Sequence, residues 1–150
     1  MDLRSNRISL AVCAGLLTAT MQPAAAVEMH DLKGLEQIFG RYAPGGDCTR
    51  QPRILVDVTG LAFEMDGKKE KVTNPEYAAS YGSDSYSGIS IWIFPYRSND
   101  GYPILMTFNA EEKKGRLLIE GHDEGWQGGP KLGPRNATLV KGSPYALCKT

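Results

Sequence analysis

The sequence predicts a mainly β domain, a small antiparallel barrel or sandwich of about seven or eight strands with one short N-terminal helix. Three observations carry that expectation. Short runs of alternating apolar and polar residues recur along the chain at hairpin spacing. Turn signals such as Asp66-Gly67, Asn74-Pro75 and Gly142-Ser143-Pro144 separate them. The stretch 88–96 is apolar on both faces of a strand, with Ile89, Ile91 and Ile93 on one side and Trp92 and Phe94 on the other. Such a strand belongs in the middle of a sheet with something packed on each side.

The N-terminus reads as an export signal. Arg4 and Arg7 precede a segment without charge from Ile8 to Val27, which closes on Ala24-Ala25-Ala26. Its apolar part is about 14 residues, short of the roughly 20 that span a bilayer. Residues 1–26 are therefore expected to be a signal peptide, cleaved near Ala26, and 27–150 a single domain. Val12 stands where a lipid-anchoring motif around Cys13 needs a small residue, which favours a soluble periplasmic or secreted product without a membrane span.

The chain carries 17 Lys and Arg against 17 Asp and Glu. Removing 1–26 leaves 15 against 16, so the mature domain is nearly neutral. It lacks the basic footprint of a nucleic-acid binder and the polybasic patch of a protein drawn to anionic membrane. The same cleavage leaves Cys48 and Cys148, which in an exported chain are expected to form a disulfide tying the start of the domain to its end.

The elements follow in order. Residues 31–39 present Leu32, Leu35, Ile38 and Phe39 at helical spacing behind a capping Asp31, with Gly40 to end the helix. Residues 42–48 are rich in turn formers. A strand over 53–59 places Ile54, Val56 and Val58 on one face; 61–66 and 69–73 flank the Asp66-Gly67 hairpin. A polar connector over 76–87 holds Tyr77, Tyr81 and Tyr86, and leads into the central strand. Beyond the loop 96–102, strands are expected at 104–109 and 116–120 around a charged turn over 111–115. A Gly- and Pro-rich loop at 121–135 contains Trp126, and 137–141 and 145–149 read as closing strands.

Function is sought in the two long connections, since binding groups concentrate on loops. Tyr81, Tyr86, Tyr96, Tyr102 and Trp126 all lie in or beside loops, where such rings bring large contact area with a polar tip. They are the expected contacts to a protein or glycan of the envelope. Glu120, His122 and Asp123 form a candidate metal cluster, although no second histidine lies near; His30 belongs to the start of the mature chain. A nucleophile motif such as G-x-S-x-G is missing, so no catalytic residue is assigned and no cofactor is expected. Asp57, Glu64 and Glu120 are the carboxylates that strands would have to bring together for glycoside chemistry. The main expectation is a non-enzymatic binding domain. The alternative is a small hydrolase or metal-dependent enzyme built on His122 and nearby carboxylates.

The runs Gly40-Arg41-Tyr42-Ala43-Pro44-Gly45-Gly46-Asp47-Cys48, Met106-Thr107-Phe108-Asn109-Ala110 and Lys141-Gly142-Ser143-Pro144-Tyr145-Ala146-Leu147-Cys148 resemble those of small exported Gram-negative proteins. The resemblance implies a periplasmic address and an end-to-end disulfide, and it implies no reaction. The periplasmic c-type lysozyme inhibitors share size, export and architecture, but their Ser-Gly-x-x-Tyr segment loses its tyrosine in Ser87-Gly88-Ile89-Ser90-Ile91, and their Lys-Gly-x-x-Ala segment is one residue too long in Lys141-Gly142-Ser143-Pro144-Tyr145-Ala146.

Overall fold

The computed structural model describes residues 26–78, 81, 85–123 and 129–149, so the expected signal up to Ala25 and the candidate Trp126 lie outside the described residues. The described chain is mainly β. Its strands are β1 (Val27–Glu28), β2 (Gly40–Pro44), β3 (Arg53–Asp57), β4 (Gly60–Met65), β5 (Lys68–Lys71), β6 (Glu76–Tyr77), β7 (Ile91–Phe94), β8 (Ile104–Phe108), β9 (Arg116–Gly121) and β10 (Tyr145–Leu147). One α-helix, α1 (Pro134–Gly142), precedes β10. All ten strands pair antiparallel in one sheet of order β1-β6-β7-β8-β9-β10-β2-β3-β4-β5.

That order and the chain together require a curl. β5 ends the sheet on one side and β6 is next to last on the other, yet only residues 72–75 join them. A link of that length reaches roughly 17 Å, whereas a flat sheet would separate the two strands by about 38 Å. The sheet therefore bends into a half-barrel. Backbone bonds stitch the returning ends, from Leu32 N–H to the Val58 carbonyl at 3.0 Å, Met29 N–H to Pro75 at 2.8 Å and Val72 N–H to Leu61 at 2.8 Å.

Alternation decides what fills the concave side. Ile54 and Val56 of β3, Leu61 and Phe63 of β4, Ile91 and Ile93 of β7, and Ile104, Met106 and Phe108 of β8 all join one buried cluster. Tyr42 and Tyr145 enter it as well, and their hydroxyls donate to the carbonyls of Ile38 (2.8 Å) and Leu139 (2.6 Å), so neither buried phenol lacks a partner. Burial pushes the ionisation of both far above the ordinary tyrosine range. α1 lays Leu139 into the same cluster. Beside it, the Arg135 guanidinium covers the rings of Phe63 (5.1 Å) and Tyr96 (5.4 Å) and pairs with Glu70 at 3.0 Å.

Several expectations change. Among the described residues there are ten strands rather than seven or eight, because β2 takes in the first part of the expected turn, as far as Pro44, and the two-residue strands β1 and β6 carry too little sequence to show a period. The N-terminal helix reduces to a single 3₁₀ turn at Glu36–Ile38, since Gly34 takes a φ of +86° and breaks the run. Its apolar stripe is still used, with Leu32 and Ile38 fully buried. The closing strand at 137–141 is helical instead. Pro134 opens α1 at its first turn, and Asn136 and Leu139 bury at helical spacing. Val58 lies in the β3–β4 turn at 42 % exposure rather than in line with Ile54 and Val56. The apolar strand at 88–96 is shortened to β7, third from one end of the sheet rather than at its middle, and Ile89 is 44 % exposed before it.

The disulfide joins Cys48 and Cys148 with Cα atoms 5.6 Å apart, where β2 and β10 pair and the Cys148 N–H donates to Arg41 at 2.8 Å. Its loop closes over a separation of 100 residues, for which the chain-entropy model gives up to about 4.7 kcal/mol. Replacing both cysteines by alanine is expected to remove about 2–4 kcal/mol from the unfolding free energy. Urea unfolding of the oxidised wild type beside the double variant measures it, and free thiols in exported wild type would contradict the bridge.

Candidate functional site

The outer face of the half-barrel over β6–β9 carries a second, smaller cluster, which is where three of the five expected binding residues meet. Register places them. Glu76 of β6 pairs with Phe94 of β7, Trp92 pairs with Thr107 of β8, and Leu105 pairs with Glu120 of β9. With Ile91 and Ile93 turned into the core, Trp92 and Phe94 must point outward. Phe94 is buried there with Ala78 and Leu105, and Trp92 and Tyr102 pack on the same cluster.

Aromatic rings from the loops close over it. Tyr102 stacks on Phe94 with centroids 4.0 Å apart. Tyr81 stacks on Trp92 at 6.3 Å and meets Phe94 edge-on at 6.1 Å, while Tyr86 meets Trp92 edge-on at 5.1 Å. The imidazole of His122 lies 4.9 Å from Phe94 and 5.8 Å from Tyr81. Arg97 covers the outside of the Tyr102 ring at 5.4 Å.

Each ring is also held at its polar tip. The Tyr102 hydroxyl donates to Glu76 at 2.5 Å, and its backbone N–H donates to Asp123 at 2.8 Å. Asp123 in turn approaches the His122 imidazole at 3.3 Å, whose nitrogens lie 3.1 and 3.2 Å from the Tyr81 hydroxyl. Burial raises the pKa of Tyr81, with the Asp123 charge adding to it. Burial likewise raises that of Tyr102, and the hydrogen bond to Glu76 adds to it. Both phenols therefore stay protonated, and that of Tyr102 is the donor to Glu76.

Glu112 anchors the far end. Its carboxylate accepts from the Tyr86 hydroxyl at 2.5 Å, the Ile89 N–H at 2.6 Å and the Ser90 hydroxyl at 3.0 Å. These bonds, that from Tyr86 first, hold its pKa below the ordinary carboxylate value. The turn that presents it is unusual, because Asn109, Glu111 and Glu112 all take positive φ, between 51° and 57°. Asn109 is buried and braces the turn through Ile89 (3.1 Å) and the Gly115 N–H (2.9 Å).

Of the expected binding residues, Tyr81, Tyr86 and Tyr102 come together and Tyr96 does not. Tyr96 folds inward, donating its hydroxyl to Asn136 beside Arg135. Trp126 is outside the described residues. His122 and Asp123 join the aromatic set, and Glu120 shares its face from β9. Among the described residues no group of three or more His, Cys, Asp or Glu side chains is placed to hold a metal ion. The three carboxylates considered for glycoside chemistry are apart. Glu64 forms a two-pronged pair with Arg53 (3.0 and 2.7 Å), Asp57 caps its own turn through Thr59, and Glu120 stands four strands from Glu64, about 19 Å along the sheet. The surface concavities elsewhere include one of about 190 Å³ between Leu32, Val72 and Pro75 and a shallow one of about 530 Å³ between Val27, Leu35 and Tyr77.

Sequence reasoning missed Trp92, Phe94, Glu76 and Glu112 as parts of the site. The signal for the first two was present, since the i, i+2 spacing within β7 puts both rings on the face opposite the isoleucines. Glu76 and Glu112 gave none, because they reach the rings only through sheet register and a left-handed turn.

Glu112 supplies a pH-dependent test. A carboxylate whose folded value is lowered stabilises the fold above its unfolded value, near ~4.3, and that contribution is lost as pH falls through the lowered one. Glu112→Gln is therefore expected to reduce stability at neutral pH and to flatten the loss of stability on acidification. Urea midpoints across pH 7 to 3 would show it; parallel profiles for wild type and variant would contradict the anchoring role.

No family model, curated protein or solved structure matches the chain.

Proposed function

We propose that the chain is an exported, non-enzymatic binding domain that holds a protein or another envelope component against the aromatic outer face of β6–β9. The observation that carries this reading is where apolar surface is left open. Among the described residues five large hydrophobic side chains are exposed, and two of them, Tyr81 (44 %) and Tyr86 (38 %), pack on the rings of this one cluster. Scattered exposed apolar side chains need no explanation, but a contiguous set does. Rings fixed at both face and hydroxyl lose little further freedom on binding, which favours affinity.

An enzymatic role for His122 has less support. The hydroxyl within reach of its imidazole is the Tyr81 phenol, whose pKa is raised, the opposite of what an activated nucleophile needs. Export rests on the N-terminal pattern together with the Cys48–Cys148 bridge, a bond that persists in oxidising compartments. No helix among the described residues is long and apolar enough to cross a membrane.

Two measurements test the reading. Protein expressed from the whole chain and recovered from the periplasmic fraction is expected to begin at Val27 by intact mass; recovery with residues 1–26 attached would count against export. Capture from an envelope extract is expected to lose its specific partners on Tyr81→Ala/Tyr86→Ala and to keep them on Tyr96→Phe, whose ring faces inward. An unchanged partner profile for the first variant would sink the aromatic-face assignment.

A further inference from the structure

The outer face has a charge pattern that narrows what it binds. Strand pairing sets Glu28 of β1 directly opposite Glu76 of β6, and Glu76 opposite Phe94 of β7. Continuing the β7–β8 register puts Phe94 opposite Leu105, which is itself opposite Glu120 of β9. One row across five strands thus reads Glu28, Glu76, Phe94, Leu105, Glu120, with carboxylates at both ends and an apolar centre. At the usual strand spacing it is about 19 Å long. Asp123 and Glu112 lie to either side, bonded to Tyr102 and Tyr86 respectively.

This pattern is costly for the protein alone. Like charges directly opposite in a sheet destabilise it, and Glu28 and Glu76 are such a pair. Among the described residues, Arg97 is the cation held against this cluster, at the ring and hydroxyl of Tyr102. Arg116, also on the outer side of β9, is engaged by Glu111 at 3.0 Å. Cleavage before Val27 would add one terminal ammonium at the β1 end. Five carboxylates around a set of electron-rich rings still leave the face short of positive charge.

Resting on the binding role assigned to this face above, we propose that its occupant is a cationic segment of a protein partner. A lysine or arginine side chain is attracted to the faces of Tyr81 and Trp92, and flanking basic residues meet Glu28, Glu76 and Glu120. The aliphatic stem of the same side chain covers the edges of the Tyr81 and Tyr86 rings, so one residue type satisfies both the apolar centre and the acidic rim. A neutral glycan would use the rings and leave the carboxylate pair uncompensated.

The test uses Trp92 as its reporter. In a Trp126→Phe background it is the one tryptophan left, since the chain has two. The probes are an end-capped octalysine peptide, the same peptide acetylated at every Nζ, and chitotetraose. Octalysine is expected to change Trp92 emission saturably, with affinity falling as salt rises, while the acetylated peptide is silent. Glu28→Gln/Glu120→Gln is expected to weaken octalysine about tenfold. Asp66→Asn, a neutralisation in the distant β4–β5 turn, should change it less than twofold. These substitutions are on exposed positions, so folding is retained and far-UV circular dichroism checks it. Equal losses from both neutralisations, or equal binding of the acetylated peptide, would overturn the inference. Chitotetraose binding that Tyr81→Ala removes, without octalysine binding, would overturn the cationic occupant and leave the aromatic-face reading standing. Silence toward all three probes, with unchanged capture by the Tyr81→Ala/Tyr86→Ala variant, would remove both.

Discussion

Everything in this molecule answers to a short tether. Residues 72–75 must carry the chain from one end of the sheet order to nearly the other. The sheet meets that demand by bending, and bending creates two unequal faces. The concave side is enclosed on several sides at once, so a tyrosine such as Tyr42 or Tyr145 is wholly buried there with its hydroxyl on a neighbouring carbonyl. The convex side spreads its side chains apart and has to be covered by whatever chain is nearby. Over β6–β9 that cover comes from Tyr81, Tyr86 and Tyr102, a thin layer that leaves two of the three rings exposed.

The contrast between the two clusters follows from what covers them. The inner one is closed by α1, the 3₁₀ turn at Glu36–Ile38 and Tyr96, which bring aliphatic side chains and carbonyl acceptors. The outer one is closed by phenols, an imidazole and carboxylates, groups whose polar ends want water or a partner. Packing of the first kind stabilises a fold. A layer of the second kind is already close to what one half of an interface looks like, with an aromatic centre and a polar rim.

Much of the fold was legible in the residues. Strong alternation marked β3, β4 and β8, and Asp66-Gly67 fixed the hairpin between β4 and β5, where both residues take the positive φ (50° and 72°) such a turn requires. What failed was local and has local causes. A strand of two residues has no period to read, and a glycine at φ +86° ends a helix whose spacing looked sound. Residues 137–141 are too few to tell a helix from a strand by pattern, and the burial that decides it comes from the core beneath α1. The site was legible in part for the same reason. Ring-bearing loops can be seen in a sequence, but which rings share a face depends on register, so Tyr96 was grouped with residues it never meets and Trp92 was left out.

The strands at the two ends of the sheet bear on how the molecule behaves in company. A bent sheet that stops short of closing leaves free backbone donors and acceptors along β1 and β5, and such rims invite another chain to add itself. Here one rim is only two residues long, and the other reads Lys68-Lys69-Glu70-Lys71, with all four residues exposed. A second copy approaching that rim meets three ammonium groups in four positions before it can form a single ladder bond. The incomplete closure that gives the protein its outer face is thereby kept from becoming a template for stacking, and contact with other molecules is steered away from the backbone and toward the rings.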